Sequence, residues 1–173
     1  IKGKGLEELL AAFGALSRNH PDASLTIAGD GPLTDVLTKM IAERKLEDRV
    51  KLAGFVEDVS SLYATHHCLV FPSHLEGLSG VLIESMLHHL PILASDIPMN
   101  CEIITHGKTG YIFPVRNEPG IREAMEWFMA HPEAAASMSE AAYHQALERF
   151  DIEHVAQQHE SFLKVCLERF RSS

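Results

Sequence analysis

No apolar run in this sequence approaches the ~20 residues needed to cross a bilayer, and no charged-apolar-small succession of a signal peptide opens it. The chain is therefore expected to be soluble. Basic side chains are in the minority: 15 Lys and Arg against 24 Asp and Glu give a formal charge of -9. That balance argues against a nucleic acid or an anionic membrane as the main partner, so a phosphate ligand would need donors placed locally. Cysteine is scarce. Cys68, Cys101 and Cys166 are odd in number and widely spaced, which suits neither a disulfide framework nor a zinc knuckle and fits a reducing cytoplasm. There is no internal repeat and no low-complexity segment. What is present is 46% hydrophobic and 23% charged over 173 residues, the balance of one folded domain with a real core.

Apolar residues at Leu6, Leu9, Leu10, Phe13 and Leu16 recur with helical spacing, and Asn19-His20-Pro21-Asp22 ends that pattern. Leu25-Thr26-Ile27-Ala28 then reads as a strand, Gly29-Asp30-Gly31-Pro32 as a turn, and Leu33 to about Lys45 as a helix. The same alternation continues through strands at Val50–Ala53, Cys68–Phe71, Pro91–Ala94 and Tyr111–Phe113, with helices over Val59–His66 and about Val81–His89. Short apolar strands without strict polar alternation, separated by helices, indicate a parallel sheet covered on both faces. The expected class is α/β, doubly wound, over residues 1–119. Residues 120–173 carry no strand signal and read as a helical segment broken near His131-Pro132 and Phe150-Asp151.

The opening Ile1-Lys2-Gly3-Lys4-Gly5 is turn-like, with no strand ahead of it. A doubly wound domain begins with a strand that becomes central in the sheet, so the sequence reads as cut at its start. Without that strand its two neighbours would carry unpaired backbone groups. The expectation is a strand just before Ile1, or edges that pair with another copy or close onto each other.

Ligands of open parallel sheets lie beyond the carboxyl ends of the strands, and the loop after Phe71 is the richest of these. It reads Pro72-Ser73-His74-Leu75-Glu76-Gly77-Leu78-Ser79-Gly80 and runs into the helix that carries Glu84. Free amides and the dipole at that helix start suit a phosphate, and Gly77 and Gly80 remove side chains that would obstruct its approach. Glu84, about one turn inside, would repel a phosphate at the same point but accept hydrogen bonds from a ribose diol. Glu76 stands where it could hold sugar hydroxyls. Gly29-Asp30-Gly31-Pro32 is read only as the turn and helix start that such a unit needs.

Glu76-Gly77-Leu78-Ser79-Gly80-Val81-Leu82-Ile83-Glu84-Ser85-Met86, followed by Leu90-Pro91-Ile92-Leu93-Ala94-Ser95-Asp96, resembles the donor-site signature of the family-4 retaining glycosyltransferases. Lys4-Gly5-Leu6, Ile27-Ala28-Gly29-Asp30-Gly31-Pro32, Val50-Lys51-Leu52-Ala53-Gly54, Glu102-Ile103-Ile104 and Gly107-Lys108-Thr109-Gly110 agree in order, so the likeness covers roughly residues 3 to 115. The resemblance implies the Rossmann-like C-terminal half of a GT-B fold. It implies transfer of a sugar from a nucleotide diphosphate sugar with retention, by a hexosyltransferase-type enzyme without metal or cofactor. Glu76 matches the glutamate on the donor sugar and Glu84 the one on the ribose. Leu78, Ser79, Gly80 and Val81 match the diphosphate-binding amides, Lys4 the lysine that neutralises the diphosphate, and Val56 and Asp58 the base-contacting loop.

This chain departs from the family in several ways. The family's phosphate-binding arginine precedes the lysine, in a region absent here. Absent too is the acceptor domain, which in the family commonly supplies a histidine; any peripheral membrane association would run through that domain. Ser79 stands where a proline is frequent, and Met99-Asn100-Cys101 replaces a glycine-containing run. The residues 1–173 thus read as a single nucleotide-sugar-binding domain, which should bind without turning over. The rival reading is a non-catalytic α/β module that binds a phosphorylated small molecule or a partner domain. It gains if Glu76 or Glu84 turns into the core or is tied up in a salt bridge. His66-His67 and His88-His89 are adjacent rather than helically spaced, so no metal site is expected. Cys101 is expected to be a small buried residue.

Overall fold

The computed structural model describes residues 3–150 and 160–164. Helices and strands alternate. α1 spans Leu6–Leu16, β1 Leu25–Ala28, α2 Thr34–Arg44, β2 Val50–Gly54, α3 Ser60–Thr65 and β3 Leu69–Phe71. They are followed by α4 Gly80–Leu87, β4 Ile92–Ser95, α5 Pro98–Ile103, β5 Tyr111–Phe113, α6 Glu118–Ala130 and α7 Pro132–Phe150. All five strands fall where expected, within one residue at either end, and every pairing is parallel. The break at His131 is present, with Pro132 opening α7. The one expected after Phe150 lies outside the described residues.

Among the described residues there are two sheets in place of one. β1 pairs with β2, while β3, β4 and β5 form a second sheet in that order. β1 and β3 lie in different sheets and share no ladder, so the doubly wound arrangement is split where a central strand would lie. Among the described residues only β4 has a partner on both sides, and each of its four residues is buried; the three residues of β3 are all half-buried.

Two apolar clusters hold the layers together. Leu9, Leu10 and Phe13 of α1 pack with Ile27 of β1, Leu93 of β4 and Met125 of α6, so α1 bridges the two sheets. Leu82 and Met86 of α4 pack with Ile92, Ala94, Ile103 and the small residues Ala142 and Ala146 of α7. A fully buried aliphatic side chain contributes about 1.5–3 kcal/mol, so Leu82 and Met86 fix α4, and with it the loop ahead, firmly on the sheet.

The six-residue helix α5 is too short to show helical periodicity in sequence. It opens on Pro98, whose fixed φ suits a first helical position. It places Asn100 fully buried and Cys101 exposed, which corrects the expectation of a buried Cys101. The Cys101 thiol is pushed up in pKa by what burial it has and by the nearby Asp96 carboxylate, the opposite of an activated nucleophile. The histidine pairs are not helical either: His66 and His67 follow α3, and His88 and His89 follow α4, with His89 at φ 51°.

Candidate functional site

The site assembles at the carboxyl ends of β1, β2 and β3. Its first anchor is Gly5, which precedes α1 at φ 66° and ψ 20°. A Cβ there would stand 2.1 Å from the carbonyl oxygen of Pro72, so only glycine lets the start of the chain lie against the end of β3. The His74 amide donates to the Gly3 carbonyl at 2.7 Å and completes the junction. Lys4, between them, donates through Nζ to Glu76 Oε1 at 2.5 Å. Two residues 72 positions apart in sequence thereby meet at one loop.

α4 supplies the second group. Its first internal bond runs from the Ile83 amide to the Ser79 carbonyl, so the amides of Gly80, Val81 and Leu82 precede the intrahelical ladder. Ser79 is buried with an extended backbone, and its side chain makes no capping bond to the helix. Leu78 and Val81 are exposed, and a Cβ at Gly77 would meet nothing. Glu84 reaches back along the same face: its Oε1 lies 3.8 Å from where a Gly80 Cβ would be, the i, i+4 relation of a helix. A carboxylate thus flanks the bare helix start.

Tyr63 of α3, a residue the sequence reading missed, fixes Glu84. Its hydroxyl donates to Glu84 Oε2 at 3.0 Å while its ring lies 5.1 Å from that of His88. Burial first, then the hydrogen bond to Glu84, pushes the Tyr63 phenol up to about 12, so it stays a hydrogen-bond donor at any working pH. The available signal was weak: a polar-tipped aromatic on the buried face of a helix needs a partner.

Val56 and Asp58 lie in the loop after β2. Val56 is half-buried, whereas Asp58 is exposed and its Oδ1 accepts from the Ser60 amide at 2.9 Å and from the Ser60 hydroxyl at 2.5 Å. These bonds, the hydroxyl's first, hold its carboxyl below the usual aspartate range. Asp58 thus starts α3 in this structure. The Gly29-Asp30-Gly31 turn is likewise occupied locally, with the Gly29 amide on the Gly54 carbonyl at 2.8 Å and Asp30 Oδ1 on the Gly31 amide at 2.9 Å.

Beneath the loop runs a buried polar chain that the Met99-Asn100-Cys101 departure brings with it. Asn100 Nδ2 donates to the Ser95 carbonyl at 3.0 Å and to Ser95 Oγ at 3.1 Å, and Ser95 Oγ donates to the Ser73 carbonyl at 2.5 Å. Asn100 Oδ1 has no partner among the described residues. The network ties β4 and α5 to the loop bearing Glu76.

Around the site, Phe55, Leu75 and Leu78 are 80%, 81% and 69% exposed. All three lie on loops after strands. Among the described residues no group of three His, Cys, Asp or Glu could hold a metal ion, and no helix is long and apolar enough to cross a membrane.

The family described as "Glycosyl transferases group 1" matches residues 1–145. The chain is 35% identical over 141 residues to the alpha-D-kanosaminyltransferase of Streptomyces kanamyceticus, across 80% of this chain and 36% of that protein. It spans less than half the length of such curated relatives. Its fold matches Anabaena Alr3699/HepE, solved in complex with UDP, at a TM-score of 0.88 and 23% identity, covering 95% of this chain and 46% of the other. It also matches the C-terminal domain of the group 1 family protein LpcC from Francisella tularensis at a TM-score of 0.79 and 20% identity, over 88% of this chain and 82% of that one. With a family match over most of its length and this architecture, the chain belongs to the group 1 glycosyl transferases and has the fold of their C-terminal, Rossmann-like GT-B domain.

Proposed function

We propose that this domain binds the nucleotide diphosphate sugar for a retaining, hexosyltransferase-type reaction, with chemistry completed in a cleft against an acceptor domain. The observation that carries this reading is the opening of α4, where bare amides at Gly80 to Leu82 are flanked by the returned carboxylate of Glu84. The diphosphate lies on the amides of Leu78, Ser79, Gly80 and Val81, and the ribose diol bonds to Glu84, whose carboxylate is held by the Tyr63 hydroxyl on Oε2. Lys4 neutralises the diphosphate as the glycosidic bond to it breaks, in place of a divalent cation. Glu76 holds the sugar hydroxyls, and Val56 and Asp58 border the base. Phe55, Leu75 and Leu78 form the rim that meets the acceptor domain.

The Lys4–Glu76 ion pair speaks for the rival, a non-catalytic binding module, because it ties up one of the two carboxylates. Its partner, though, is itself the diphosphate lysine, and an incoming diphosphate draws Lys4 away and frees Glu76 for the sugar. Calorimetry separates the two readings. Glu84→Ala should weaken UDP and UDP-glucose alike, by roughly 1–3 kcal/mol for lost bonds to a charged acceptor. Glu76→Ala should leave UDP bound as well or more tightly, since Lys4 no longer has to leave a carboxylate, and weaken only UDP-glucose. Equal losses in both variants, or no binding of either ligand by the unaltered chain, favour the rival.

A further inference from the structure

Three non-glycine residues among those described have a left-handed backbone: Lys45, His89 and Arg116, at φ 56°, 51° and 57°. Lys45 caps the end of α2 and His89 follows α4, places where that conformation is ordinary. Arg116 ends no helix. It lies in the loop between β5 and α6, where glycine would relieve the steric cost that arginine bears. Strain of this kind persists where the side chain has a task. The loop itself is fixed, since the Val115 amide donates to Asp96 Oδ1 at 2.7 Å. Among the described residues no ion pair holds the Arg116 guanidinium. Its Nε instead donates to His74 Nδ1 at 3.4 Å. That long bond joins the end of β5 to the end of β3, two strand spacings or about 10 Å across the sheet.

A guanidinium only donates, so His74 Nδ1 must offer its lone pair and the ring proton must sit on Nε2. That nitrogen is buried 3.2 Å from Glu8 Oε1 of α1, off the axis of a hydrogen bond but within reach of the charge. The ring is thus held in one orientation and one tautomer from two sides. Glu76 stands two residues further along the same loop. Beyond His74 the loop has little else to hold it, because Leu75 and Leu78 are exposed and a Cβ at Gly77 would meet nothing. Lys4 holds Glu76 here, but a diphosphate that draws Lys4 away removes that hold. We propose that Arg116 is a positioning residue of the donor site, which through His74 keeps the loop where the Glu76 carboxylate meets the donor sugar. The inference rests on the reading of Glu76 as the residue on that sugar.

The test uses the full chain with Arg116→Gly, His74→Phe, the two combined, and His74→Asn. Calorimetry with UDP and UDP-glucose, thermal unfolding and nitrogen-15 spectra of the imidazole rings are read on each. Arg116→Gly should keep Tm or raise it by up to about 4 °C, because it relieves the backbone. It should weaken UDP-glucose roughly threefold to tenfold and leave UDP within about twofold. It should also release His74 from the single Nε2–H tautomer of the unaltered chain into a mixture. His74→Phe should lose as much affinity, and the combined variant no more than either alone. In His74→Asn the amide oxygen accepts from Arg116 in place of Nδ1, so most of the affinity returns. A Tm lowered by Arg116→Gly, a mixed His74 tautomer in the unaltered chain, equal losses for UDP and UDP-glucose, additive losses in the combined variant, or a His74→Asn no better than His74→Phe each overturn the proposal. UDP-glucose affinity unchanged in Arg116→Gly overturns it alone where Glu76→Ala weakens that ligand; where Glu76→Ala is silent too, the donor reading falls and this inference with it.

Discussion

Gly5→Ala tests the junction on which both fold and site depend, and Gly54→Ala is its matched control. Both glycines have nearly the same backbone, φ 66° and φ 65°, so each alanine is strained by about 1–2 kcal/mol for the left-handed conformation. They differ in space: a Cβ at Gly54 meets nothing within 4 Å, whereas one at Gly5 stands 2.1 Å from the Pro72 oxygen and 2.9 Å from its carbonyl carbon. Backbone cannot swing aside like a side chain, so Gly5→Ala carries an overpacking cost of about 1–3 kcal/mol in addition. The total is about 2–5 kcal/mol. At roughly 2–4 °C per kcal/mol for a domain of this size, Gly54→Ala should lower Tm by about 2–8 °C and Gly5→Ala by about 4–20 °C. Relief of the clash must part residues 3 to 5 from residues 72 to 76, so Gly5→Ala should also cost the Lys4–Glu76 pair and weaken UDP-glucose binding. Thermal unfolding with calorimetry on the same samples measures both. Equal Tm losses for the two variants, or full UDP-glucose affinity in Gly5→Ala, would refute the reasoning.

Tyr63→Phe keeps the ring in place and removes the hydroxyl from Glu84, which leaves that carboxylate free to turn; UDP affinity should fall by about threefold to tenfold, roughly 1 kcal/mol, and unchanged affinity would mean that Tyr63 does not orient Glu84. The same phenol, raised to about 12 in the fold from an ordinary 10, contributes stability that is fully present below pH 10 and is lost as pH rises toward 12. Alkaline titration by ultraviolet absorbance should therefore show one late tyrosinate step that Tyr63→Phe deletes. Asn100→Ala removes the donor to Ser95 and opens a small buried space, so a loss of about 1–3 kcal/mol is expected in urea unfolding; a neutral result would show that the Ser73–Ser95–Asn100 chain does not brace the loop.

Much of this was legible in sequence because it rests on local rules. The strands at Leu25, Val50, Ile92 and Tyr111 are short apolar runs bounded by turns, and α4 begins where Gly80 follows a glycine-bearing loop. Glu84 was placed near the helix start by spacing alone, and its return over Gly80 follows from side-chain direction in helices. What was missed depends on partners distant in sequence. Nothing near Tyr63 announces Glu84, 21 positions on, and nothing near Lys4 shows that its partner is Glu76 rather than bulk solvent. Cys101 was misjudged because α5, a helix of six residues, has too few turns for periodicity to tell its inner face from its outer. The division into two sheets falls between β1 and β3, which flank the place of a central strand in the doubly wound order and share no ladder among the described residues.

The central claim is that the start of α4, and not the Gly29-Asp30-Gly31 turn, receives the nucleotide. A crystal structure of the chain soaked with UDP decides it most directly. The account predicts phosphates on the amides of Ser79 to Val81 and the ribose on Glu84, with Tyr63 still bonded to the other carboxylate oxygen. Phosphates seated at Gly29 to Gly31, with Glu84 facing solvent, would contradict it.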